Sequence, residues 1–383
     1  VFELLDFDAF HAERVPELLA RGNGRLAAGA VRQEGPLAFR MPDGRAYTYA
    51  SEAGDVVVRP GDRTAATVVL LGEQAWSDFV WEARTARGLA DAGLVGFVRG
   101  DFGGLARWEP ALRAVYDGRP LYDPGRVAGI DLHRAFGLHA PDRELRSFLA
   151  TTGFLHVRGV LRPDEVAALV GEAERLRAAG VPGGGPAGDF GAAGSGAGLR
   201  VGDAGSVSAR IGALADDGRL RRLVNLAGLH VVPLVDRLGG VGVVWPAAGA
   251  GRAAEWGWGN DCDRGGHPLL CPSLEVAVHL GPGTRLAVLA GSHESSAAPP
   301  GPGEHTGVPV VVLEPGAGDV TVCFGHLLRA EPVQDPGGPA APSVRVRFAP
   351  PALRDLVGPG QSYAEVLRRP RPPRGDWGPA ANR

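Results

Sequence analysis

Residues 273–280, reading SLEVAVHL, alternate strictly in character. Leu274, Val276, Val278 and Leu280 fall on one side of an extended chain, and Glu275, Ala277 and His279 on the other. A period of two marks a strand with one face in a core. Other short apolar runs follow at 284–290, 310–313, 320–324 and 344–348, with turn-forming residues between them. Short strands at this spacing suit a double-stranded β-helix, the jelly-roll or cupin-like pairing of two sheets.

The chain before that point has a different pattern. Phe7, Phe10, Val15, Leu18 and Leu19 share a helical stripe. Strands are predicted around 37–40, 46–49, 56–58 and 66–71, separated by turn sequences such as Met41-Pro42-Asp43-Gly44, and helices over 77–87 and 102–116. The Pro and Gly content of 119–125 reads as a linker. A helix near 141–151, a strand over 154–160 and a helix over 163–178 open a second domain, the last with Pro at its first turn and acids near its start. Residues 180–206 are almost all Gly, Ala and small polar groups, with little apolar surface to offset ordering entropy. They lack the Gly-Lys-Ser/Thr ending of a phosphate loop. The expected class is α+β: an α+β domain over 1–120, a linker over 121–140, a jelly-roll domain over 141–360 with a Gly-rich insert at 180–206, and a tail over 361–383.

The chain's 383 residues are enough for two cores. A net charge of -3 gives no basic footprint for nucleic acid, although every basic residue is Arg. Cys262, Cys271 and Cys323 make no disulfide framework, so a reducing cytoplasm is expected. No apolar run reaches the roughly 18–20 residues that span a bilayer, and the first residues read as a helix rather than a signal peptide.

Three stretches carry a family resemblance. Residues 256–280 (WGWGNDCDRGGHPLLCPSLEVAVHL) and 318–332 (GDVTVCFGHLLRAEP) resemble the core of the phytanoyl-CoA dioxygenase family, non-haem iron enzymes that use 2-oxoglutarate. FLHVRGVLRPDEVAALV at 154–170 resembles the opening of the same fold, and Gly291-Ser292-His293 matches a turn of the family. The similarity covers about 141–360. It implies a His-x-Asp pair on one core strand, a second His on a later strand, and an Arg for the 2-oxoglutarate carboxylate. In Trp258-Gly259-Asn260-Asp261 the first His position holds Gly259, and Asp261 is kept. Arg329 falls at the distal His position, and the place of the cofactor Arg falls near Ala341-Pro342. The N-terminal succession of helix, short strands and closing helix, with Gly100-Asp101-Phe102-Gly103 before the latter, resembles the sterol-carrier-protein fold. That resemblance implies a groove for a hydrophobic small molecule or acyl group.

Iron with 2-oxoglutarate needs two His and one carboxylate, and losing even an outer partner costs ~10–100-fold in metal affinity. The expectation is therefore no cofactor, neither Fe(II) nor 2-oxoglutarate. The chain would then be a non-catalytic partner or regulatory subunit in a hetero-oligomer with an active paralogue, in specialised metabolism. One alternative is an enzyme on the same barrel, a cyclase, isomerase or lyase, using Asp261, His279 or Arg329. Another is an Fe(II)/2-oxoglutarate hydroxylase with an atypical site.

Trp258, Asn260, Glu275 and His279 are the candidate pocket residues. Cys262, His267 and Cys271 can be drawn as zinc ligands, but in the family those positions are scaffold. Asp261 and Asp263 lack the other oxygen ligands of a calcium loop. No Gly-x-Ser-x-Gly elbow is present, and Cys323 reads as a packing residue. Asp261 and Arg329 are expected to face one another, the guanidinium offsetting a buried carboxylate and Gly259 leaving it room.

Overall fold

The computed structural model describes residues 4–179, 200–202, 204–234, 240–248, 258–260, 273–295, 309–330, 333–334 and 341–351. Strands β1 (Leu37–Arg40), β2 (Ala46–Glu52), β3 (Asp55–Pro60), β4 (Thr67–Leu70) and β5 (Gly96–Arg99) form one sheet in the order β3-β2-β1-β4-β5. β1 and β4 run parallel, and the other pairs are antiparallel. The helix Phe102–Asp117 starts where the Asp101 carboxylate accepts from the Gly104 N–H, and stops at Gly118 with φ +68°. Its Leu105, Trp108 and Leu112 join Phe7, Phe39, Trp76 and Phe79 in one apolar cluster. The single helix expected over 77–87 is two, Glu73–Val80 and Ala86–Asp91. Glu82 takes φ +53° between them, and the Thr85 hydroxyl caps the second by accepting from Gly88 N–H at 3.0 Å.

A separate cluster runs from Val127 to Phe348. Its strands are β6 (Phe136–Gly137), β7 (Phe154–Arg158), β8 (Arg200–Val201), β9 (Val232–Pro233), β10 (Val241–Val244), β11 (Ala247–Ala248), β12 (Trp258–Gly259), β13 (Leu274–His279), β14 (Thr284–Leu289), β15 (Val310–Leu313), β16 (Val320–Phe324), β17 (Arg329–Ala330), β18 (Val333–Gln334) and β19 (Ser343–Ala349). The larger sheet has the order β6-β7-β16-β13-β19-β10-β8, with β9 also on β19. The smaller has β11-β18-β14-β17-β12, with β15 also on β14. Helices Asp142–Thr152, Pro163–Ala178 and Gly218–Asn225 contribute Leu145, Leu149, Leu169, Leu220 and Leu223 to the cluster. The chain is thus α+β with several sheets, two of which meet across a shared interior. No helix among the described residues is long and apolar enough to cross a membrane.

Two expectations are corrected. Part of the presumed linker is built into the second cluster: Val127 and Phe136 are buried in it, and Phe136 pairs with Val157. Tyr122 also donates to the Ala290 carbonyl at 2.9 Å. Pro and Gly there shape a folded strap. The Gly-rich insert ends earlier than its composition suggests, because Val201 pairs with Val243 and Ala204 is fully buried. Residues 180–199 lie outside the described residues.

Candidate functional site

The alternation in β13 decides what lies between the two sheets. Leu274, Val276 and Val278 join the apolar cluster, which leaves Glu275, Ala277 and His279 on the other face. β19 repeats the pattern, with Val344, Val346 and Phe348 in the cluster and Ser343, Arg345 and Arg347 opposite. Register sets Arg347 beside Glu275, Arg345 beside Ala277, and Ser343 beside His279. On the other flank, Cys323 lies beside Glu275 and Thr321 beside Ala277, with His156 beyond Thr321. One face of a single sheet therefore gathers most of the polar groups of the interior.

The smaller sheet adds one more. Arg329 on β17 pairs in register with Gly259 on β12 and with Val288 on β14. Its Nη2 reaches across to Glu275 Oε2 at 3.3 Å. Glu275 also meets Arg347 Nε at 3.4 Å and Arg345 Nη1 at 3.7 Å. No side chain of the four is more than 9% exposed. Three guanidinium groups from two sheets converge on one carboxylate.

His279 sits one row further along. Its Nε2 lies 3.0 Å from Thr321 Oγ1, and its backbone N–H donates to the Asp319 carbonyl. Burial, reinforced by His156 and the positive charge of Arg345, pulls its pKa down to about 3, so the ring is neutral. Asp319 pins the end of this row. Its carboxylate accepts from His156 Nε2, Gly159 N–H and Gly316 N–H, each at 2.9 Å. Burial alone would raise the Asp319 pKa, but these three hydrogen bonds outweigh it and hold the carboxyl below its usual range.

The expected site residues divide among these places. Glu275 is the centre of the charge cluster, and His279 and Arg329 both line the interior. Trp258 packs on the Ala287–Ala330 pair, and Ala330 follows Arg329 in the strand, so the indole lies on the face away from the guanidinium. Asn260 is partly buried just after β12. Asp261 lies outside the described residues, as do Cys262, Asp263, His267 and Cys271. The expected Asp261–Arg329 pair is therefore not described; the partner the structure gives Arg329 is Glu275. Cys323 is a buried free cysteine. His293 is the expected turn residue, with Nε2 3.1 Å from the Ala150 carbonyl and its ring stacked on Phe324.

Arg345 and Arg347 were not anticipated. The SVRVRFA segment carries the signal for them, since it alternates apolar with cationic residues. Locating the cofactor Arg by a fixed distance from Phe348 pointed instead to Ala341-Pro342, before the strand begins.

Gly259 and Arg329, the two positions where the family resemblance expects histidines, are direct cross-strand neighbours. Glycine has no side chain and a guanidinium offers no lone pair, so neither ligates iron. Among the described residues no three His, Cys, Asp or Glu side chains form a metal-holding group. A carboxylate of the 2-oxoglutarate kind does fit the donors present, because Arg345 and Arg347 present guanidinium N–H groups on the inner face of β19.

No protein-family model matches the chain, and no curated protein matches it. Solved structures do. The epimerase SnoN in complex with Fe3+, alpha ketoglutarate and nogalamycin RO is similar over 61% of this chain and 96% of its own, at 22% identity and a TM-score of 0.43. The alpha ketoglutarate-dependent carbocyclase SnoK of nogalamycin biosynthesis is similar over 57% of this chain and 87% of its own, at 16% identity and a TM-score of 0.43. HygX from Streptomyces hygroscopicus, with nickel and 2-oxoglutarate bound, is similar over 55% of this chain and 88% of its own, at 19% identity and a TM-score of 0.41. Two of these three hold a metal and 2-oxoglutarate. The expectation that this chain takes no cofactor is corrected on that finding, and its premise of a missing carboxylate-binding Arg fails at Arg345 and Arg347.

Proposed function

We propose that the chain is an enzyme acting on a small molecule held between the two sheets, with Glu275, His279, Arg329, Arg345 and Arg347 lining the chamber. The observation that carries this reading is the cluster of three arginines on Glu275. Buried ion clusters are poor stabilisers, and apolar side chains of similar volume often serve folding as well or better. A barrel kept only as a docking partner would gain nothing from such a cluster, whereas a site for a polar substrate needs it. The chemistry these residues support is electrostatic: guanidinium groups orient and neutralise an anionic substrate, and a neutral imidazole shares a proton with it. If 2-oxoglutarate binds, it would lie on Arg345 and Arg347 and supply oxidising power to whatever metal the protein holds.

The test replaces Glu275, Arg329, Arg345 and Arg347 together with Leu. The reading expects a folded protein of equal or higher melting temperature that no longer converts a compound the wild type converts. Conversion is followed by mass spectrometry of small-molecule extracts, with and without Fe(II) and 2-oxoglutarate. A wild type that changes no compound under either condition would sink the enzyme reading.

Gly259 and Arg329 favour a second reading, a partner that supports an active paralogue in a hetero-oligomer. Co-expression with such a paralogue, followed by light scattering on the purified material, tests it. A chain that stays monomeric beside the paralogue counts against it. The N-terminal unit is read as sterol-carrier-like, on its helix, three-stranded meander, parallel crossover strand and closing helix. The setting is read as cytoplasmic.

A further inference from the structure

The polar groups of the chamber are not equally satisfied. His279 is 2% exposed, and its Nε2 is taken up by Thr321 Oγ1. Its Nδ1 is fully buried and has no hydrogen-bond partner. Buried polar atoms are nearly always paired, and one that is not calls for an account of what normally meets it. Here the atom belongs to the polar face of β13. His279 pairs with Ser343, two residues before Arg345 on β19, so His279 and Arg345 are diagonal neighbours. Such neighbours stand roughly 7–8 Å apart at Cα, within reach of long side chains. Glu275 and Arg347 form the next pair along the same face.

We infer that Nδ1 of His279 contacts the ligand, and that the chamber takes a small organic acid. Its carboxylate would lie on the guanidinium groups of Arg345 and Arg347, and a hydroxyl or carbonyl oxygen of the same molecule would meet Nδ1. The inference rests on the enzyme reading above and adds the substrate class. Two arrangements of the imidazole proton serve it. With Thr321 donating to Nε2, Nδ1 carries the hydrogen and donates to a carbonyl or hydroxyl oxygen. With Nε2 donating to Thr321, Nδ1 accepts from a hydroxyl. In either case the neutral ring selects by hydrogen bonding, while charge recognition belongs to the arginines.

Matched pairs of acids that differ by one oxygen function test this on the full chain: malate and succinate, 2-hydroxyglutarate and glutarate, lactate and propionate. Isothermal titration calorimetry gives the affinities, and thermal shift gives an independent readout. In at least one pair the oxygenated acid is expected to bind on the order of tenfold tighter, since a buried polar atom discriminates against a ligand that leaves it unpaired. His279→Phe should erase that preference and leave the affinity of the deoxy acid within about twofold. His279→Asn, whose amide falls near the place of Nδ1, should restore part of the preference. It also serves as the informative variant if His279→Phe does not fold. Arg345→Leu should weaken both members of the pair. Equal affinities within every pair, with binding still lost in Arg345→Leu, overturn the role of His279 and leave the chamber reading standing. No binding by any of the acids overturns the inference, and the enzyme reading is then decided by the conversion assay alone.

Discussion

Asp319→Ala should be among the most damaging single substitutions in the second unit. The carboxylate is 8% exposed and takes three hydrogen bonds, from His156 on β7 and from the Gly159 and Gly316 backbone. It thereby ties the end of β7 to the turn that opens β16. Removing it leaves three donors without an acceptor. A donor stranded in a buried place costs about 1–3 kcal/mol, and the two backbone donors are partly buried and recover some hydration. The total is about 3–5 kcal/mol. Asp319→Asn keeps the shape and one carbonyl oxygen but sets an NH2 against a donor, for about 1–2 kcal/mol. Urea unfolding at neutral pH with an unchanged m-value measures both. The acid limb gives a second check. The folded Asp319 pKa lies below its unfolded value, so its contribution is full above the unfolded pKa and is lost as pH falls through the folded one. From pH 5 downward the wild type should lose more stability than Asp319→Asn. An alanine variant costing under about 1 kcal/mol, or the same acid slope in both proteins, would refute this account.

Two other outcomes follow from contacts already described. A double-mutant cycle on Glu275→Leu and Arg329→Leu should show a coupling of at least about 1 kcal/mol across the two sheets; a value near zero would mean that the 3.3 Å contact does not hold in solution. Gly153→Ala should destabilise by about 2 kcal/mol or more, because Gly153 has φ +84° and an added Cβ would lie 2.5 Å from His293 Nδ1. Equal stability by calorimetry would show that the His293 ring moves freely aside.

The sequence was most legible where one residue pattern served one face. The alternation of 273–280 placed Glu275 and His279 on the inner side of β13, and their neighbours bear that out. Arg329 was expected inside and is inside, but its partner was not foreseen, because Glu275 reaches it only when the two sheets face each other. The His156–Asp319 contact spans 163 residues, which no local pattern encodes. β5 escaped notice because Gly96-Phe97-Val98-Arg99 is short and half exposed, and its pairing with β4 supplies what its composition lacks. The stretch near Val127 and Phe136 was misread for the opposite reason: Pro and Gly dominate its composition, while two buried side chains decide its structure.

The order of strands has a consequence for how the polypeptide emerges from the ribosome. β19, among the last residues described, lies between β13 and β10 in the larger sheet, and β7 waits for β16 more than 160 residues later. The sheet that bears the chamber therefore cannot close until about residue 349 is free, whereas the N-terminal cluster has all its strands and its closing helix by Asp117. During translation β7 and β10 must persist with unpaired edges, and edges of that kind invite pairing with other chains. Slow synthesis over 160–340 should thus leave a nascent chain with a finished first unit and an adhesive, unfinished second one. That state is where a chaperone would have most to do.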